Sequence, residues 1–220
     1  MNKFQETSRQ HFNKIASTYE TNYEGKIAAA LHDTVLRKLD LSVYRSVLDI
    51  GCGPGTVLSL ISTKTDVELY GIDLSPEMTR IAQDRLGRRA DIRLGDSETL
   101  PWDDNSFDVI ISIASFHHFP APKKSLSEIH RVIKPEGYLI IADISSFSPL
   151  RQLENLLFYI SRFLPIYKAG DFRLYSESEL CKLLKECKFD SIKWESLRWG
   201  KVNLQAHLLR PFVVTAMAKK

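Results

Sequence analysis

Three glycines at alternate positions, Gly51, Gly53 and Gly55, separate an apolar run ending in Asp49 from a stretch with helical spacing. Glycine reaches backbone angles closed to other residues and lets a ligand approach the main chain. A glycine turn between a strand and a helix N-terminus is therefore suited to a nucleoside-bearing cofactor. The spacing narrows the choice. It is G-x-G-x-G with Pro54 inside, and the sixth-position glycine of the dinucleotide pattern G-x-G-x-x-G is missing. Asp49, just before the turn, favours a cationic group and would repel a pyrophosphate. A second carboxylate, Asp73, closes the next apolar run, in Gly71-Ile72-Asp73-Leu74-Ser75. At the C-terminal end of a strand it can accept hydrogen bonds from both hydroxyls of a ribose. Folds that bind NAD put an acid at the same point, so Asp73 identifies a nucleoside without saying which one.

Further along, Leu94-Gly95-Asp96-Ser97 follows a third apolar run and Phe107-Asp108-Val109-Ile110 opens a fourth. Arg131-Val132-Ile133-Lys134-Pro135-Glu136-Gly137 precedes a fifth. In this order and spacing, the stretch from about residue 45 to 145 resembles the class I S-adenosylmethionine-dependent methyltransferases. Several of the matches resemble the small-molecule branch related to ubiquinone and menaquinone methyltransferases. Phe12-Asn13-Lys14-Ile15-Ala16-Ser17-Thr18-Tyr19 is similar to the opening helix of that branch, which folds over the cofactor.

The resemblance implies S-adenosyl-L-methionine as the methyl donor, with its methionine part cradled by the loop of Asp49, Gly51, Cys52, Gly53 and Gly55. It implies that Asp73 holds the ribose, Leu74 packs on the adenine face and Asp96 accepts from the adenine amino group. Met78 and Ser97 belong to the same cofactor set, and Ser112 and Ile113 face the methionyl end. Tyr19 is either a lid contact or core packing. Glu136 replaces a glycine of the family's turn, a departure that touches turn geometry and leaves the cofactor chemistry alone.

A sulfonium carries its own activated methyl, so the protein mainly aligns nucleophile, methyl and sulfur, which is worth on the order of 7–11 kcal/mol. A general base is needed only where the acceptor is protonated. His117 and His118 follow the fourth strand, at the sheet edge where ligands bind. Either titrates near neutrality and is a candidate base; the other role for the pair is to shape the loop. Cys181 and Cys187 are six apart on an expected helix and do not share a face closely, so no metal site is expected.

The elements that must position these residues alternate. Strands are expected at Ser46–Ile50, Val67–Ile72, Ile92–Leu94, Phe107–Ser112 and Tyr138–Asp143, with helices over 56–63, 76–86 and 123–133 between them. That alternation argues a parallel sheet covered on both faces. Helical spacing at 11–19 and 26–39 precedes it, a helix with a capping box runs from Ser176 to Glu186, and strands near 189–197 and 207–218 finish the sheet. The expected fold is therefore α/β, a Rossmann-like doubly wound sheet. The resemblance implies seven strands with the last one antiparallel. One domain is expected, with an N-terminal helical lid at 1–44, a cofactor-binding core at 45–143, a helical cap insert at 144–185 and the final strands at 186–220. The broad apolar face of residues 149–164 either lines a pocket for a greasy or aromatic acceptor or packs on the core or a second subunit, which leaves a homodimer open.

Composition sets the outer limits. The chain has 220 residues, 44% hydrophobic and 26% charged, enough for one substantial core. It lacks an apolar run long enough to span a membrane and a signal-peptide pattern, and its three cysteines form no framework, so a cytoplasmic setting is expected. The net charge of +3 divides into −3 over residues 1–147 and +6 over 148–220, scattered as on a solvated face. No basic, aromatic-interleaved patch or Asn/Asp-Pro-Pro-Tyr element points to nucleic acid. The expected partner is a small-molecule methyl acceptor. Two rivals remain at this point: an NAD-linked oxidoreductase, and a non-catalytic module that retains the cofactor to regulate a partner.

Overall fold

A computed structural model describes residues 3–146, 156, 173–198 and 209–220. Seven strands form one sheet: β1 Ser46–Ile50, β2 Glu68–Asp73, β3 Ala90–Leu94, β4 Phe107–Ile113, β5 Ile133–Ser146, β6 Phe189–Ser196 and β7 Leu209–Ala218. Their order is β3-β2-β1-β4-β5-β7-β6. All neighbours from β3 to β5 pair in parallel, whereas β7 runs antiparallel to both β5 and β6. The chain reverses direction of build at β1, which opens a crevice above the C-terminal ends of β1, β2 and β4.

The strand side chains alternate between two cores. Leu48, Phe107, Ile110, Leu139 and Ile141 face one cluster together with Leu126 and Ile129 of α5 (Pro122–Val132) and Leu180 and Leu184 of α6 (Glu177–Glu186). Val47, Val109, Ile111 and Ile140 face the other, with Leu31 and Val35 of α2 (Tyr23–Lys38), Leu58 and Ile61 of α3 (Thr56–Ser62) and Ala82 and Leu86 of α4 (Pro76–Leu86). A sheet buried on both faces needs near-continuous apolar strands, which explains why β1, β4 and β5 carry them.

Local chemistry sets the ends of the helices. Ser75 Oγ accepts the Met78 N–H at 3.2 Å, and Pro76 fills the first turn of α4, where a missing N–H costs nothing. Ser176 and Glu179 form the expected capping box at the start of α6. Glu136 adopts φ +60°, the left-handed region that its family glycine would favour. A Cβ on its neighbour Gly137 would sit 2.9 Å from the Lys134 carbonyl and 3.0 Å from that of Asp108, so this position of the turn stays glycine.

Most expected elements appear with small shifts at their ends, but β5 starts at Ile133 rather than at the expected Tyr138 and takes residues 133–137, expected as a turn, into the strand. The first helix is longer than its spacing suggested: α1 runs Lys3–Ile15 and passes into a 3₁₀ turn at Ala16–Thr21. Apart from Leu156, the expected helix at 149–164 lies outside the described residues, as does the start of the last strand at 207–208. The α1 strap is tied to the body by polar contacts rather than by a buried apolar stripe. Gln5 Nε2 donates to Glu98 Oε1 at 3.2 Å, Asn13 Oδ1 accepts from Ser75 Oγ at 2.6 Å, and Glu20 pairs with Arg85 at 2.7 Å. Behind it, α2 presses on the 3₁₀ turn at Gly25, where a Cβ would lie 1.9 Å from the Tyr19 carbonyl oxygen. Gly25→Ala must therefore push the strap away from α2, and urea denaturation is expected to record a loss of about 1–3 kcal/mol.

Candidate active site

The glycine turn folds back on the end of β2. The N–H groups of Gly51 and Cys52 donate to the Ile72 carbonyl at 2.8 and 3.1 Å, and the Gly53 N–H donates to Asp73 Oδ2 at 2.8 Å. Gly51, Gly53 and Gly55 all have positive φ, at 76°, 52° and 75°. Their surroundings differ. A Cβ on Gly51 would meet Ser115 Oγ at 1.9 Å, whereas one on Gly53 would meet nothing nearer than Tyr19, at 4.0 Å. Gly55 caps α3 and packs on Ala82 and Leu86, so its glycine character serves helix packing.

Above the sheet edge lies an open cleft. Of the residues named from sequence, it is lined by Tyr19, Gly51, Gly53, Asp73, Leu74, Met78, Asp96, Ser97 and His118. An adjoining hollow shares Tyr19, Gly51 and Gly53 and adds Asp49, Cys52 and Ile113, with α2 as its wall. Gly55, Ser112 and His117 line neither. Ser112 is fully buried, and Cys52 points its sulfur at Gly71, where a Cβ would be 3.0 Å away.

The carboxylates sit at strand ends in three settings. Asp49 is 3% exposed and its Oδ1 has no hydrogen-bond partner, an expensive state for a buried charge. Burial, with the nearby Asp73 charge, pushes its pKa up to about 8. Asp73 accepts from Gly53 and from the Ser75 N–H, each at 2.8 Å. Burial raises its pKa, and those N–H groups oppose the rise. Each of its oxygens keeps a further lone pair for a ligand. Asp96 Oδ1 accepts the Glu98 N–H at 2.7 Å in a tight turn, and the Ser97 hydroxyl turns away to Ser125 Oγ at 2.8 Å.

The adjacent histidines part company. His117 is 7% exposed and pairs through Nδ1 with Asp143 Oδ1 at 2.6 Å. His118 faces the cleft and meets the ring of Phe12 edge-on at 5.3 Å. Tyr19 lies at the junction of the two hollows, with its phenol pKa raised by burial and by the charges of Glu24, Asp73, Asp143 and Asp49. It remains a protonated donor.

Sequence reasoning missed Gln5 and Ser8, which line the cleft with Phe12 from one face of α1, at i, i+3 and i+7. That spacing is legible, but its use depends on how α1 docks. Ala114 and Ser115 also line the cleft, Ala114 at φ +49° with its N–H donating to the Ala142 carbonyl at 2.8 Å. No Lys or Arg lines either hollow among the described residues. Among the described residues, no group of three or more His, Cys, Asp or Glu is arranged to hold a metal ion.

Comparison with known proteins agrees with this geometry. Residues 48–141 match the family model described as a methyltransferase domain. The demethylmenaquinone methyltransferase of Thermotoga maritima is 32% identical over 174 residues, covering 74% of this chain and 75% of that protein. The enzyme of the same name from Tropheryma whipplei (strain Twist) is 28% identical over 225 residues, covering 92% of each. Among solved structures, an S-adenosylmethionine-dependent methyltransferase of Thermotoga maritima shares the fold with a TM-score of 0.70 at 24% identity, covering 96% of this chain and 99% of that one. With the glycine turn, the strand-end carboxylates and the cleft they enclose, these matches make the chain a member of the S-adenosylmethionine-dependent methyltransferases, similar within them to the demethylmenaquinone enzymes.

Proposed function

We propose that the two hollows together hold S-adenosylmethionine and that its methyl passes to a small, apolar, ring-bearing acceptor at the cleft mouth. The observation that carries the reading is the buried, unpartnered Oδ1 of Asp49 below a glycine turn, in hollows that no described Lys or Arg lines. A cationic ligand end satisfies that oxygen, and the adjacent neutral glycines leave it room. In this reading Asp49 faces the α-ammonium group, Asp73 the ribose hydroxyls, and Asp96 the adenine amino group. Leu74 and Met78 supply the apolar floor. When bound, the cofactor supplies an electrophilic methyl on a sulfonium whose leaving group is a neutral thioether.

The chain's own residues orient the two partners and keep water out. Tyr19 and Phe12, carried on the strap, cover the cleft, and the Glu20–Arg85 and Asn13–Ser75 contacts hold the strap down. Phe12, Phe119, Pro120 and His118 give the mouth an aromatic and apolar lining, which supports the acceptor class. The name of the demethylmenaquinone methyltransferases supports a small-molecule acceptor. Nucleic acid is a poor match for hollows that no described Lys or Arg lines. Among the described residues, no helix is long and apolar enough to cross a membrane.

Asp49 gives a pH signature. With its pKa near 8 in the empty fold, it must lose a proton to meet an ammonium group. Calorimetric affinity for S-adenosylhomocysteine is therefore expected to rise by up to about tenfold per pH unit from 6 to 8 and then level off. Asn at this position should weaken binding about 10–100-fold and remove that slope. The same substitution should stabilise the empty protein. An acid raised in the fold costs stability that grows as pH climbs from its unfolded value toward 8, so Asp49→Asn is expected to raise Tm by about 3–6 °C at pH 8 and by less at pH 5. A flat affinity profile in the wild type would remove Asp49 from the cofactor site.

The acceptor class is tested by S-adenosylhomocysteine release from naphthalene-1,4-diol, catechol, glycine and phosphoethanolamine. The ring-bearing pair should turn over at least about tenfold faster than the polar pair. The reverse order would contradict the apolar-acceptor reading and leave the cofactor site standing.

A further inference from the structure

The wall that α2 gives to the hollow beside Asp49 is built mostly from small side chains. Gly25, Ala28, Ala29 and His32 line it at i, i+3, i+4 and i+7, one face of the helix. The first three leave the face set back, and the imidazole is its one polar side chain. His32 is half-buried, and its ring makes no hydrogen bond to a described residue. Burial holds its pKa down to about 4, against the pull of the Asp33 and Glu20 charges. Near neutrality the ring is therefore uncharged and carries one N–H to donate.

Asp49, with its buried and unpartnered Oδ1, lines the same hollow. In the cofactor reading that oxygen meets an α-ammonium group, and the same carbon of the ligand carries a carboxylate. Taking that carboxylate out of water requires a donor in the hollow. The glycine turn has little to offer. The N–H groups of Gly51 and Cys52 go to the Ile72 carbonyl, that of Gly53 to Asp73 Oδ2 and that of Gly55 to the Cys52 carbonyl, and Pro54 has none. Thr56 Oγ1 donates to Glu20 Oε1 at 2.7 Å, and the Cys52 thiol contacts the Gly53 carbonyl at 3.7 Å. Tyr19 stands among the charges of Glu24, Asp73, Asp143 and Asp49, a poor place for a further carboxylate. Glu20, the other acid in this hollow, is held by both terminal nitrogens of Arg85 at 3.1 and 2.7 Å, which offsets its charge.

Resting on the cofactor reading above, we propose that His32 is a specificity-determining residue whose ring N–H donates to the α-carboxylate of the bound ligand, so that the site selects nucleosides ending in an amino acid over those ending in an amine. Asp49 from β1 and His32 from α2 then read the two charges of one zwitterion. The donor is neutral, so it brings no positive charge to compete with the ammonium group for Asp49.

The test is calorimetry on the full chain at one fixed pH, with S-adenosylhomocysteine and with 5′-S-(3-aminopropyl)-5′-thioadenosine, the same molecule without its carboxylate. The wild type should bind S-adenosylhomocysteine about 10–100-fold more tightly. His32→Ala should bind the amine as the wild type does, within about twofold, and lose most of the preference for the carboxylate. His32→Gln keeps an N–H donor on that face and should recover part of the preference, which covers the case in which His32→Ala does not fold. Equal affinity of the wild type for the two ligands overturns the proposal. So does a His32→Ala variant that keeps the full preference, or one that weakens both ligands alike, the mark of a purely shaping role. A wild type that binds neither ligand contradicts the cofactor reading itself.

Discussion

One carboxylate ties the site together. Asp73 ends β2 and reaches both the glycine turn, through the Gly53 N–H, and the start of α4, through the Ser75 N–H. Those contacts fix the height of the loop above the sheet edge and the direction of the helix beside it. They also hold a half-buried carboxylate close to Asp49, whose own oxygen is left without a partner. The surrounding core makes this tolerable. β1 is buried on both faces, so the strand ends cannot relax outward to water.

In the proposed function, a cationic ligand end relieves the unpartnered Asp49 oxygen. A hollow with several acids and no described Lys or Arg has its lowest energy with a cation inside. The strap adds a second layer. It is joined to the body through polar side chains at Gln5, Asn13 and Glu20, contacts that break and re-form at lower cost than an apolar interface. A cover held in this way can close on a ligand and still let the product leave.

Much of the fold was legible because its signals are local. The Ser75 and Ser176 caps, the apolar runs of β1, β4 and β5 and the turn after α5 each depend on a few adjacent residues. The antiparallel last strand was not read from periodicity; family resemblance implied it, and the β5–β7 pairing bears it out. Three glycines that look equivalent in sequence separate in space, because Gly55 faces Ala82 and Leu86 while Gly51 and Gly53 face the cleft. His117 and His118 are adjacent, yet one turns to Asp143 and the other to the cleft, since both sit in a 3₁₀ turn whose orientation is set by β5. Gln5 and Asp143 could not be picked out from sequence, because their roles depend on contacts made across 26 residues or more. The insert at 149–164 lies, apart from Leu156, outside the described residues.

The most direct measurement is a crystal structure of the chain with S-adenosylhomocysteine. The account predicts one molecule spanning both hollows, with its α-ammonium group on Asp49, its ribose hydroxyls on Asp73 and its adenine beside Asp96 and Leu74. Density for the nucleoside away from these three strand ends, or a cleft that stays empty at saturating ligand, would contradict it.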